Sequence, residues 1–142
     1  MNYPIQFKIA TQPGNEEAYQ ECKEFIQTMQ KIMRLRDWDM RLVFASSDIT
    51  AQNNGTRDMV AWHDPEIYQR VTIGVNCEHE QANDELEQSI IHELCHVIAN
   101  EFCVYVDTFC ETDQQKEIAY RLKERMVENF ARAIWNAMNW TP

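Results

Sequence analysis

Apolar residues recur at helical spacing in three stretches of this chain and at alternate positions in the stretch between the first two. After a turn and cap at Pro13-Gly14-Asn15, the residues Tyr19, Cys22, Phe25, Ile26, Met29, Ile32 and Met33 mark an amphipathic helix over 15–36. Trp38, Met40, Leu42 and Phe44 then alternate with Asp37, Asp39 and Arg41, the pattern of a half-buried strand. Ser46 to Thr56 is polar and carries Asn53-Asn54-Gly55, which reads as a loop with a turn. Met59 to Trp62 reads as a short strand, Asp64-Pro65-Glu66 as a turn, and Tyr68 to Val75 as a further strand with Val71, Ile73 and Val75 on one side. A second helix is predicted over 84–103, with Asp84 as its N-cap and Ile90, Ile91, Leu94, Val97 and Ile98 as its apolar stripe. The last, over 113–139, opens on a capping-box pattern at Thr112-Asp-Gln-Gln115. The expected fold is α+β: an N-terminal helix, a small three-stranded sheet over 38–75, and two closing helices. No internal repeat interrupts it.

Length and charge narrow the possibilities. The 142 residues suit one domain with a single core, 1–142. A formal net charge of −10 opposes direct binding to nucleic acid. The one basic concentration, Arg121, Lys123, Arg125 and Arg132, is interleaved with Glu117, Glu124 and Glu128 and reads as a solvated helix face. The N-terminal residues lack the sustained apolar run of a signal peptide, and no stretch approaches a membrane span. Five cysteines without a CxxC pair are expected to be reduced thiols in a cytoplasm.

Chemistry enters at His92-Glu93-Leu94-Cys95-His96, an H-E-x-x-H inside the second predicted helix. Four helical residues advance slightly more than one turn, so both imidazoles share a face where one Zn2+ per chain can take them. Glu93 then stands beside the metal's open position as a general base. The bland alternative is an exposed His-Glu-His patch on an amphipathic helix. Cys95, between the histidines, points away on a helix and is expected to pack.

Two histidines do not complete a catalytic zinc site, which takes three protein ligands and a water. No histidine follows His96, and Ala99 stands where an H-E-x-x-H-x-x-G-x-x-H motif needs glycine. The third ligand is therefore expected to be a carboxylate from the last helix. Its apolar stripe is centred on Tyr120, Val127, Ala131, Ile134 and Met138. Glu124 falls at the edge of that stripe and is the first choice; Glu128, turned further out, is the runner-up, and Glu117 lies near the helix start.

An H-E-x-x-H followed by a glutamate on a downstream helix resembles the gluzincin branch of the zincin metallopeptidases, and the small size resembles minimal single-domain gluzincins and the metallopeptidases of bacteriophages. What the resemblance implies is a zincin-like domain from about Trp38 onward, hydrolysing peptide bonds with His92, His96 and Glu124 on zinc and Glu93 as catalytic base. Glu124-Arg-Met-Val-Glu128 fits the gluzincin spacing in which an acidic residue four positions on holds a ligand histidine, so Glu128 becomes a supporting residue. The phage likeness implies a bacterial host cytoplasm. By the same resemblance, an edge strand before the motif helix pairs with an extended peptide substrate, Met59–Trp62 and Tyr68–Val75 both being candidates. Tyr105 and Tyr120 are candidate oxyanion donors, with Tyr120 read first as a core residue. His63 and His79 are read as surface histidines. With one domain expected, no second one is expected to form a far cleft wall. A zincin-fold binding module with little or no catalysis, mediating protein–protein interaction in a phage, therefore stands as the alternative. Oligomeric state is open.

Overall fold

The computed structural model describes residues 6–9, 16–35, 37–56, 59–66, 69–78 and 83–139. These form an α+β fold in the order β1 (Gln6–Ile9), α1 (Glu16–Ile32), β2 (Asp39–Ala45), α2 (Ser47–Asn54), β3 (Ala61–Glu66), β4 (Arg70–Asn76), α3 (Asn83–Asp107) and α4 (Asp113–Met138). The sheet has four strands, ordered β1-β2-β4-β3, where three were expected. β1 runs parallel to β2, β2 parallel to β4, and β3 antiparallel to β4, so β3 is one edge.

Side-chain alternation on the strands sets the core. Met40, Leu42 and Phe44 of β2 and Val71, Ile73 and Val75 of β4 are buried in one cluster with Tyr19, Cys22, Ile26 and Met29 of α1 and Ile90, Ile91 and Leu94 of α3. The turn after α1 is tied down by the Gln30 amide, which donates to the carbonyls of Leu35 and Trp38 at 3.1 and 3.2 Å.

Several expectations need correction. Ser46 to Thr56 is not a loop. It contains α2, capped by the Ser46 hydroxyl, which accepts from Ile49 N–H, and closed by Gly55 at φ 76°. Asp64-Pro65-Glu66 is not a turn but the second half of β3; an edge strand tolerates proline because the missing N–H can lie on the unpaired side. α3 already begins at Asn83, so Asp84 lies inside the helix instead of capping it, and the helix runs to Asp107. α1 ends at Ile32. The Thr112–Gln115 capping box on α4 forms as expected. The cap at Pro13-Gly14-Asn15 and His79 lie outside the described residues. No described helix is long and apolar enough to cross a membrane, and all five cysteines are free thiols.

One glycine fixes the edge strand. Trp62 is paired with Gly74 across β3 and β4, and its indole fills the space a Cβ on Gly74 would need. Gly74→Ala therefore forces the indole out of its buried position and shifts β3. A loss of about 1–3 kcal/mol is expected, lowering the thermal midpoint by several degrees. A midpoint unchanged from wild type would show that the indole relaxes without cost.

Candidate metal centre

Three elements meet at the H-E-x-x-H. α3 presents His92 and His96 one turn apart. α4 packs against it, and residues four apart on α4 present Glu124 and Glu128 to the same place. β3 brings the third histidine. Because His63 pairs with Ile73, it lies on the core-facing side of the sheet, whereas Trp62 and Gly74 lie on the other.

The distances suit one small cation. His92 Nε2 and His96 Nε2 are 3.2 Å apart, His96 Nε2 is 3.3 Å from Glu124 Oε1, and His92 Nε2 is 3.6 Å from Glu124 Oε2. Tetrahedral zinc with bonds of about 2.0–2.1 Å separates its ligand atoms by about 3.3 Å. Glu128 Oε2 is 2.8 Å from His92 Nδ1, which donates its proton there and leaves Nε2 with a lone pair. With its proton on Nδ1, His92 turns an unprotonated Nε2 toward His96 Nε2 and the Glu124 carboxylate, a donor set that could hold a cation. Among the described residues, His92, His96 and Glu124 form the one group of three whose ligand atoms lie within 4.8 Å of one another.

Electrostatics agree with neutral imidazole. Burial pushes the His96 pKa down to about 3, with His63, His92 and Lys123 adding repulsion to its charged form, so His96 is uncharged near neutrality. At Glu128 burial opposes ionisation, but hydrogen bonds from Arg132 and His92 outweigh it and hold the carboxyl below its usual range. Cys95 is buried in the core, its thiol pushed up to about 11 by burial and then by Glu128, as expected of a packing residue.

His63 corrects the sequence reading most. Expected at the surface, its side chain is only 24% exposed. Its Nδ1 lies 2.5 Å from Glu93 Oε2, and its ring stacks on His96 at 4.7 Å between centroids and 13° between planes. Continuing the alternation of β3 through Pro65 would have put His63 on the inner face with Ala61. The two tyrosines go the other way. Tyr120, expected in the core, is 58% exposed with Lys123 over its ring, and Tyr105 is 63% exposed against Phe109. Tyr105 is also nine residues beyond His96, roughly 13 Å along the helix axis. Glu117 stays in solvent, paired with Arg121.

Beside the centre lies a cleft of about 410 Å³, walled by Met59, Val60 and Ala61 on one side and by Ser89, His92 and Glu93 on the other. Glu93 faces this cleft and is absent from the three-residue ligand cluster. Comparison with protein families, with curated proteins and with solved structures finds no match to this chain.

Proposed function

We propose that the chain is a zinc-dependent peptidase of the zincin type, with His92, His96 and Glu124 as ligands and Glu93 as general base. The observation that supports this most is the division of labour between the carboxylates. Glu124 sits among the imidazole nitrogens, Glu128 sits behind His92, and Glu93 is held clear of both beside an open cleft. A closed structural site would need a fourth protein ligand and no free base.

Zinc held there supplies a Lewis acid and lowers the pKa of a coordinated water to about 7. The residues do the rest. Glu128 fixes the tautomer of His92. Glu93 accepts a proton from the attacking water and returns it to the leaving nitrogen. His63 donates to Glu93 and fixes which carboxylate oxygen is free to act. The outer edge of β3, beside the cleft, offers backbone groups to which an extended peptide can add as a strand.

The reading is tested by elemental analysis of purified protein and by mass spectrometry of a broad peptide library, with chelator-treated protein as control. About one zinc per chain and chelator-sensitive cleavage are expected. Zinc without cleavage would favour a binding module, and absence of bound metal after zinc reconstitution would refute the site. His63 gives a finer check. His63→Phe keeps an aromatic ring against His96 but removes the donor to Glu93. Zinc content should hold while kcat falls roughly 10- to 100-fold, the usual effect of losing a partner that orients a functional group. Undiminished kcat would remove His63 from the mechanism.

A further inference from the structure

α3 runs past the sheet that buries its first half, and α4 packs back along α3 with Val127 and Ala131 of its own second half buried. On α3 the buried line Ile91, Leu94 and Cys95 continues at three- and four-residue spacing through Ile98, Phe102 and Tyr105, with Phe109 in the turn just beyond, and these four are 53–65% exposed. The steps from Ile91 through Cys95, Ile98 and Phe102 to Tyr105 alternate four, three, four and three, the seam of a coiled coil. The α4 side of the same face adds Leu122 at 58% and Ile118 at 52% exposure. Phe102 and Leu122 line one groove of about 600 Å³ between the helices, floored by Cys103 and Ala119. These side chains leave roughly 600–700 Å² of apolar surface in water, close to the ~800 Å² per partner of a stable interface and more than a monomer ordinarily exposes in one patch.

Charge identifies the occupant. From Ile98 to its end at Asp107, α3 carries Glu101 and Asp107 and no cation. From Lys116 to Arg125, α4 carries Lys116, Arg121, Lys123 and Arg125 against Glu117 and Glu124. Glu117 and Arg121 pair with each other, and Glu124 is turned to the histidines, which leaves Lys116, Lys123 and Arg125. At the groove itself α3 contributes the acidic Asp107 and α4 the basic Lys116 and Lys123. A two-fold axis that sets α3 of one copy on α4 of the other satisfies both halves at once, since such an interface uses one patch twice. This matters in a chain of net charge −10, whose copies otherwise repel.

We infer that the chain forms a symmetric dimer through the α3–α4 hairpin, with Phe102 and Tyr105 of each copy filling the groove of the other. At 100° per residue the stripe lies roughly a third of a turn around α3 from His92 and His96, so the metal centre stays open in the dimer.

Sedimentation equilibrium of the full chain tests this. The wild type should be dimeric at tens of micromolar. Phe102→Glu/Tyr105→Glu should weaken association roughly 30-fold or more, with helix content and zinc binding retained, because both side chains are exposed in the monomer. Glu101→Lys/Asp107→Lys and Lys116→Glu/Lys123→Glu should each dissociate alone and form a heterodimer when mixed. A wild type that stays monomeric at ~100 µM overturns the proposal, whatever other protein the face might bind. So does a dimer untouched by the double glutamate variant, or a failure of the two charge variants to rescue each other. None of these outcomes depends on peptidase activity.

Discussion

Glu93→Gln should fold, bind zinc as the wild type does and cleave almost nothing. The amide is nearly the size of the carboxylate, and the converging set His92, His96 and Glu124 does not include this position. His63 Nδ1 can still donate to the amide oxygen, so the local packing is kept. What disappears is the proton acceptor. General acid–base groups contribute roughly 10²–10⁴ in rate, and kcat/KM on the best library peptide should drop by at least that much. KM should change little, because Glu93 contributes little to peptide binding if β3 supplies main-chain pairing. Equal cleavage by both proteins would eliminate Glu93 as base. Equal inertness of two zinc-loaded proteins would turn the reading toward recognition without chemistry.

Helical periodicity made the centre legible, and strand boundaries hid part of it. His92, His96, Glu124 and Glu128 all lie on long helices, where spacing alone fixes which side chains share a face. Their meeting across α3 and α4 needed only that the two helices pack. His63 was missed because Pro65 suggested a turn; on an edge strand proline costs no ladder bond, so β3 runs on through it. α2 escaped because a polar helix of eight residues has almost no apolar stripe, although Ser46 and Gly55 are its proper caps. Tyr120 and Ile98 failed for a different reason. Periodicity correctly places Ile98 in line with the buried face of α3, but it does not say how far the sheet extends beneath it. From Ile98 onward the stripe is no longer covered, and Ile98, Phe102 and Tyr105, patterned for a core, stand in water.

Removal of the ligands one at a time should rank them by their distance from the converging nitrogens. His92→Ala and His96→Ala each leave two protein ligands and should lose stoichiometric zinc outright. Glu124→Ala should do nearly the same, since its carboxylate is the remaining member of the cluster, at 3.3 Å from His96 Nε2 and 3.6 Å from His92 Nε2. Glu128→Ala should behave differently. Its carboxylate reaches His92 at Nδ1, the nitrogen facing away from His96, so its loss frees the ring to rotate without subtracting a ligand. Affinity should fall about 10- to 100-fold, leaving zinc bound at micromolar concentration. Competitive chelator titration gives the affinities, and melting with added zinc gives an independent measure. Zinc at 100 times its Kd stabilises the folded state by about 2.7 kcal/mol, roughly 5–10 °C in a chain of this size. That shift should vanish in both histidine variants and in Glu124→Ala, and persist at higher zinc in Glu128→Ala. A larger loss in Glu128→Ala than in Glu124→Ala would exchange their roles, and full zinc in either histidine variant would place the metal elsewhere.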